Sequence, residues 1–77
     1  MASGVLAKFA SEYQAEEFVH KVDEISARQT PVMACDRRDR EVRVMAVGDA
    51  PLKDSQTDEL KALAKDFQAL EVTRLAA

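Results

Sequence analysis

The sequence predicts a small α+β domain in the order strand, helix, strand, strand, helix, strand. Three observations predict it. Two segments carry apolar residues at steps of three and four, each opened by a residue suited to cap a helix. Between them, two short β-prone runs flank a charged knuckle. A short apolar run precedes the first helical segment, and a further β-prone run follows the second.

Val5 to Phe9 is short and apolar, and periodicity alone leaves strand and helix open. Gly4 before it favours a strand. So does the capping-box pattern of Ser11 with Gln14, which sets a helix start near Glu12. From Glu12 to Gln29, Ala15, Phe18, Val19, Val22 and Ile25 fall on one helical face. Glu16, Glu17, Lys21, Asp23, Glu24 and Arg28 take much of the opposite side. Glu17 and Lys21 form an i,i+4 pair of the favourable order. Pro31 ends the helix, because the residue before a proline avoids the helical region.

Val32 to Asp36 and Glu41 to Val47 read as strands. The second alternates, with Val42, Val44 and Ala46 on one face and Glu41, Arg43, Met45 and Val47 on the other. Pairing Asp36 with Glu41 sets Cys35 opposite Val42 and Met33 opposite Val44. Arg37-Arg38-Asp39-Arg40 is then a four-residue connection. It has no glycine, so a loop built on a type I turn fits it better than a tight primed turn. Gly48 to Asp54 reads as a loop. Ser55 with Asp58 is a second candidate cap, and Leu60, Leu63, Phe67 and Leu70 mark the second helix. Phe18, Val22, Leu63 and Phe67 should be buried at the centres of the two helix faces. Glu71 to Leu75 alternates around Val72 and Thr73 and reads as a closing strand.

This order is the ferredoxin-like βαββαβ pattern, a four-stranded antiparallel sheet with two helices on one face. A helical first segment would instead give helix–β-hairpin–helix, whose two-stranded sheet needs a partner to cover it. Either way the 77 residues form a single domain, 1–77.

A hydrophobic share of 47% with 32% charged residues suits a globular chain and excludes a disordered one. The net charge of −3 argues against a nucleic-acid binder, which carries excess Lys and Arg. Cys35 is the one cysteine, so no internal disulfide forms, which fits a reducing compartment. The start lacks the charged and apolar regions of a signal peptide, and no run reaches the ~18 apolar residues of a membrane span. A cytoplasmic protein is expected, and a domain cut from a longer chain fits the same features.

Two stretches carry a family likeness. They are Val5-Leu6-Ala7-Lys8-Phe9-Ala10-Ser11-Glu12 running into Ala15-Glu16, and Arg43-Val44 followed by Gly48. They resemble the sporulation-related repeat domains, which bind septal peptidoglycan on a βαββαβ fold. The resemblance touches under half the chain. Where that family has Gly-Ser-Phe and Gly-Pro-Phe signatures, this chain has Ala7-Lys8-Phe9 and Met45-Ala46-Val47. The resemblance implies shared architecture, which does not carry function with it.

Few side chains suggest catalysis. Cys35 reads as a small core residue beside Met33 and the valines, where burial raises a thiol's pKa and leaves it inert. His20 sits beside the core-facing Val19 and turns toward solvent, away from Cys35. One histidine and one cysteine fall short of the four ligands of a zinc site, so no metal and no cofactor are expected. Gly4 and Gly48 are isolated, so no phosphate-cradling loop exists. The knuckle Asp36-Arg37-Arg38-Asp39-Arg40-Glu41-Val42-Arg43 could grip phosphate or an acidic partner. Its acids largely neutralise its arginines, and it holds no aromatic for base stacking.

The remaining feature is the sheet face that the helices leave open. With Val42 and Val44 turned to the helices, it carries Leu6, Lys8, Val32, Ala34, Arg43, Met45, Val47, Glu71 and Thr73. An apolar middle with charged edges is how protein interfaces are often built. The expected function is a non-enzymatic protein-binding or regulatory module: an inhibitor, adaptor or accessory subunit, phage-encoded ones among them, and able to act as a homodimer. Its contact residues would be Arg37, Arg38, Arg40, Arg43, Met45, Val47, Val32 and Lys8. The alternative is a polyanion binder, of nucleic acid or glycan, using the Arg37–Arg43 knuckle. A small redox protein using Cys35 is the remaining class.

Overall fold

The computed structural model describes residues 4–28, 32–48 and 51–75. The chain runs β1 (Gly4–Lys8), α1 (Glu12–Ser26), β2 (Met33–Arg38), β3 (Glu41–Ala46), α2 (Asp54–Asp66) and β4 (Glu71–Leu75). The four strands form one antiparallel sheet in the order β2-β3-β1-β4. This is the expected α+β ferredoxin-like arrangement, and the first segment is a central strand, not a helix.

Ser11 explains where α1 begins. Its backbone is extended, and its Oγ accepts the Gln14 N–H at 3.2 Å, which satisfies one of the helix's free donors. Glu12 adds a negative charge in the first turn, where the helix dipole favours it. The helix stops at Ser26, before the expected Gln29. The Arg28 N–H bonds Ile25 O at 3.0 Å, an i to i−3 closure that tightens the last turn. The Ser26 side chain is already committed to β2. Pro31, expected to end the helix, lies outside the described residues.

The second helix starts earlier than a Ser55 cap allows. Lys53 is the capping residue, and its N–H donates to Gln56 Oε1 at 3.0 Å. Thr57 Oγ1 donates to Lys53 O at 3.2 Å. Ser55 therefore lies inside the helix. At the other end, the Gln68 N–H bonds Lys65 O at 2.9 Å and the Ala69 N–H bonds Ala64 O at 3.0 Å, with Gln68 at φ 61. This pair of bonds with a left-handed residue is a Schellman stop. Leu70, expected on the helix face, falls beyond it and is 72% exposed. Its N–H donates instead to Lys8 O at 2.7 Å, which leads the chain into β4.

The β2–β3 hairpin departs from the expected register. Arg38 pairs with Glu41, Asp36 with Arg43 and Cys35 with Val44, two residues away from the Asp36–Glu41 pairing. The four-residue loop is replaced by a two-residue turn, Asp39-Arg40. Asp39 sits at φ 54, a conformation that aspartate tolerates without glycine. Arg37 Nη1 donates to Asp39 O at 2.8 Å across the turn. Because the slip is by two, every side chain keeps its face.

One core joins sheet and helices. Val5, Ala7, Val42 and Val44 from the sheet meet Ala15, Phe18 and Val22 from α1 and Leu60 and Ala64 from α2. Phe18 packs between Phe9, with ring centroids 5.2 Å apart, and Phe67, at 6.3 Å and near edge-on. Phe18 and Val22 are buried as expected. Leu63 and Phe67 are half-buried at the margin of this core.

Candidate functional site: the open sheet face

The strand registers stack the open face into rows that run across the sheet. At the hairpin end the row reads Arg38, Glu41, Lys8, Glu71 from β2 to β4. The next row is Asp36, Arg43, Leu6, Thr73. The third is Ala34, Met45, Gly4, Leu75. Beyond it Val32 and Val47 close the face, held together by the Val47 N–H donating to Val32 O at 2.8 Å. They are 50% and 55% exposed. The face thus grades from charged at the hairpin to apolar at the far end.

Most charges of these rows are paired within the chain. Lys8 Nζ lies 3.6 Å from Glu41 Oε1 and 3.8 Å from Glu71 Oε2. Arg38 Nε lies 3.5 Å from Asp36 Oδ2. These are exposed pairs, so they orient the side chains more than they stabilise the fold. Between them is a shallow depression of about 140 Å³ lined by Leu6, Asp36, Arg38, Glu41 and Arg43. Its acids and arginines offset one another.

Lys8, Arg38, Arg43, Met45, Val32 and Val47 all lie on this face. Arg37 does not. It pairs with the helix-facing Val42, so strand alternation turns it to the other side of the sheet. Arg40 sits in the turn, where its carbonyl accepts the Phe9 N–H at 2.8 Å. The four arginines therefore do not share one surface. Asp36, Arg38 and Leu75 also lie on the face, though the sequence reading did not place them there. Arg38 belongs to it only in the observed register, which extends β2 to Arg38, whereas Asp36 follows from the alternation of Val32 and Ala34 in either register. Leu75 follows from carrying the alternation of β4 one step further.

Met45 is half-buried because it leans over Gly4. A Cβ on Gly4 would lie 3.1 Å from Met45 Cγ and would run into the carbonyl oxygen of Val44. Glycine is thus required where β1 passes the Val44 carbonyl of β3.

Cys35 lies on the opposite, helix-covered side, across from Val44. Burial, with Asp23 nearby as a lesser cause, pushes its thiol from 9.0 up to about 12. It is a protonated thiol at neutral pH. His20 is on the outer side of α1, its Nε2 3.8 Å from Glu16 Oε1, and forms no pair with Cys35. Among the described residues no group of three His, Cys, Asp or Glu could hold a metal ion, and no helix is long and apolar enough to cross a membrane.

Compared with models of known protein families and with curated proteins, the chain matches none.

Proposed function

We propose that the chain is a non-enzymatic protein-binding module, of the inhibitor, adaptor or accessory-subunit kind, acting through its open sheet face. One observation carries the reading. The helix-free face has an apolar end, formed by Ala34, Met45, Leu75, Val32 and Val47, bordered by charged rows in which Lys8, Glu41, Glu71, Arg38 and Asp36 are already ion-paired. An apolar patch with a polar border suits a protein partner. The polyanion reading draws less support, because the arginines divide between two sides and the turn, and Arg38 and Lys8 already face carboxylates. A cytoplasmic setting goes with the single cysteine, which forms no internal disulfide.

The test pairs two variants. Met45→Asp places a charge at the centre of the apolar end, and Arg37→Ala with Arg38→Ala strips the knuckle. Circular dichroism first verifies that both fold. With the wild-type chain and each variant as bait in lysate of the native host, Met45→Asp should lose the bound protein. The double arginine change should mainly slow association, as rim charges do. Duplex DNA and heparin serve as polyanion probes. Tight binding to either, lost on arginine removal, with a log–log salt slope near −0.9 per phosphate on the DNA and no effect at Met45, would overturn the reading.

A further inference from the structure

We infer that the partner of the open face is a second copy of this chain, seated face to face about a two-fold axis that runs along the strands, between β3 and β1. This rests on the protein-binding reading above and names its partner. The hairpin-end row, taken across the sheet, is Arg38, Glu41, Lys8, Glu71, with signs plus, minus, plus, minus. A two-fold axis between stacked sheets and parallel to their strands keeps each row at its level and reverses its order. Arg38 then stands over Glu71 of the second copy, and Glu41 over Lys8 of the second copy. An alternating row with an even number of charges is complementary to its own reverse.

The other rows obey the same operation. Asp36 meets Thr73 of the second copy, whose hydroxyl would exchange its 3.5 Å bond to Glu71 of its own chain for the Asp36 carboxylate, and Arg43 lays its stem over Leu6. No charge meets its own sign. The third row runs small, large, small, large, as Ala34, Met45, Gly4 and Leu75. Reversed, it sets Leu75 against Ala34 of the second copy, while the two Met45 side chains, each leaning over its own Gly4, meet at the axis. The other two-fold axis within the interface plane, perpendicular to the strands, would press the charged row onto Val32 and Val47 and strand charges against apolar surface.

The dimensions set the strength. Four strands spaced about 4.8 Å and five residues at about 3.3 Å give a patch of roughly 19 by 17 Å. Stacked sheets lie about 10 Å apart, a gap that Arg with Glu and Lys with Glu span together. A patch of this size belongs at the low end of specific interfaces. The dimer is accordingly reversible, with a Kd between roughly 1 μM and 1 mM.

Sedimentation equilibrium of the full chain over that range tests the inference, with circular dichroism to verify folding. Arg38→Glu places two like-charge contacts in its own dimer, against Glu71 on each side. Glu71→Arg does the same with two positive pairs. Each variant alone should dimerise at least about tenfold more weakly than wild type. Mixed in equal amounts, they should form a heterodimer of near wild-type affinity, because every introduced charge then faces its opposite. In one chain Arg38 and Glu71 sit on opposite edges of the sheet, so intramolecular pairing cannot produce that rescue. A wild type that stays monomeric at about 1 mM, or a mixture that fails to recover, overturns the self-pairing. Met45→Asp separates the two levels. If it abolishes dimerisation while the mixture fails to recover, the sheet face still binds protein and only the two-fold geometry falls. If a monomeric wild type still captures a host protein that Met45→Asp loses, the binding face stands and the second copy is excluded as its occupant.

Discussion

Ser26 and Met33 close a ring of two buried hydrogen bonds. Ser26 Oγ donates to Met33 O at 3.1 Å and accepts the Met33 N–H at 2.9 Å. The hydroxyl therefore stands in for a neighbouring strand at the start of β2, an edge strand of the sheet. Edge strands present unpaired backbone groups that must be covered or satisfied. Here the last residue of α1 does so, which joins the helix end to the edge that carries Ala34, Asp36 and Arg38.

Ser26→Ala should therefore cost more than a surface serine would. It leaves a buried donor and a buried acceptor without partners, a loss of about 1–3 kcal/mol. In a domain this small, each kcal/mol lowers Tm by roughly 4–8 °C. Urea denaturation should show a lower midpoint with an unchanged m-value. An unchanged midpoint would mean that water replaces the hydroxyl and that the ring carries no weight.

The element order was legible in the sequence because each segment carries its own signal. Phe18 and Val22 mark the apolar face of α1, Ser11 and Gln14 mark its start, and Val42, Val44 and Ala46 mark the inner face of β3. What escaped was chemistry at the ends. The αL conformation of Asp39 was not legible, since glycine is the usual mark of a tight turn, so the hairpin register came out two residues short. Gln68 hid the Schellman stop for the same reason, and Leu70 continued a three-residue step that the chain had already left. At the site, the register hid Arg38, and Leu75 was missed because the alternation of β4 was stopped one step short. A slip of two preserves the faces, so Lys8, Arg43, Met45, Val32 and Val47 were placed on the open face correctly. The row of alternating charges needs the true register to be seen, because Arg38 comes to stand beside Glu41 only when β2 extends to Arg38.

Cys35 makes stability depend on alkaline pH. Folding raises its pKa from 9.0 to about 12, so the folded chain holds a proton that the unfolded chain releases. Above pH 9 the unfolded state binds fewer protons than the folded one, and stability falls as pH rises. The contribution is complete below pH 9 and is lost as the pH climbs toward 12. Cys35→Ala removes this dependence. The difference in unfolding free energy between wild type and Cys35→Ala should shrink steadily from pH 9 upward, while the two curves run parallel from pH 6 to 8. Parallel curves throughout would show that Cys35 ionises as freely when folded as when unfolded. A thiol reagent should correspondingly label Cys35 slowly in the native chain and quickly in urea.

Gly4 links the packing of β1 to the open face, and Gly4→Ala tests the link. The added methyl meets two neighbours, the Val44 carbonyl oxygen and Met45 Cγ. The side chain can turn aside, but the carbonyl belongs to β3, which is paired on both sides, with β1 and with β2. The strands must part near the Gly4–Met45 pair, and overpacking of this kind costs about 1–3 kcal/mol. A double-mutant cycle with Met45→Ala divides the cost. Removing the methionine side chain relieves only its own contact, so Gly4→Ala should remain destabilising in the Met45→Ala background, with a coupling smaller than half its cost in the wild type. If Met45→Ala instead restores full stability, the close approach of the two strands is not what demands glycine, and the constraint lies in the side chain alone. The same variant reads out the face. Displaced from its seat over Gly4, Met45 should become more accessible, and oxidation by dilute peroxide, followed by mass spectrometry, should modify it faster in Gly4→Ala than in wild type.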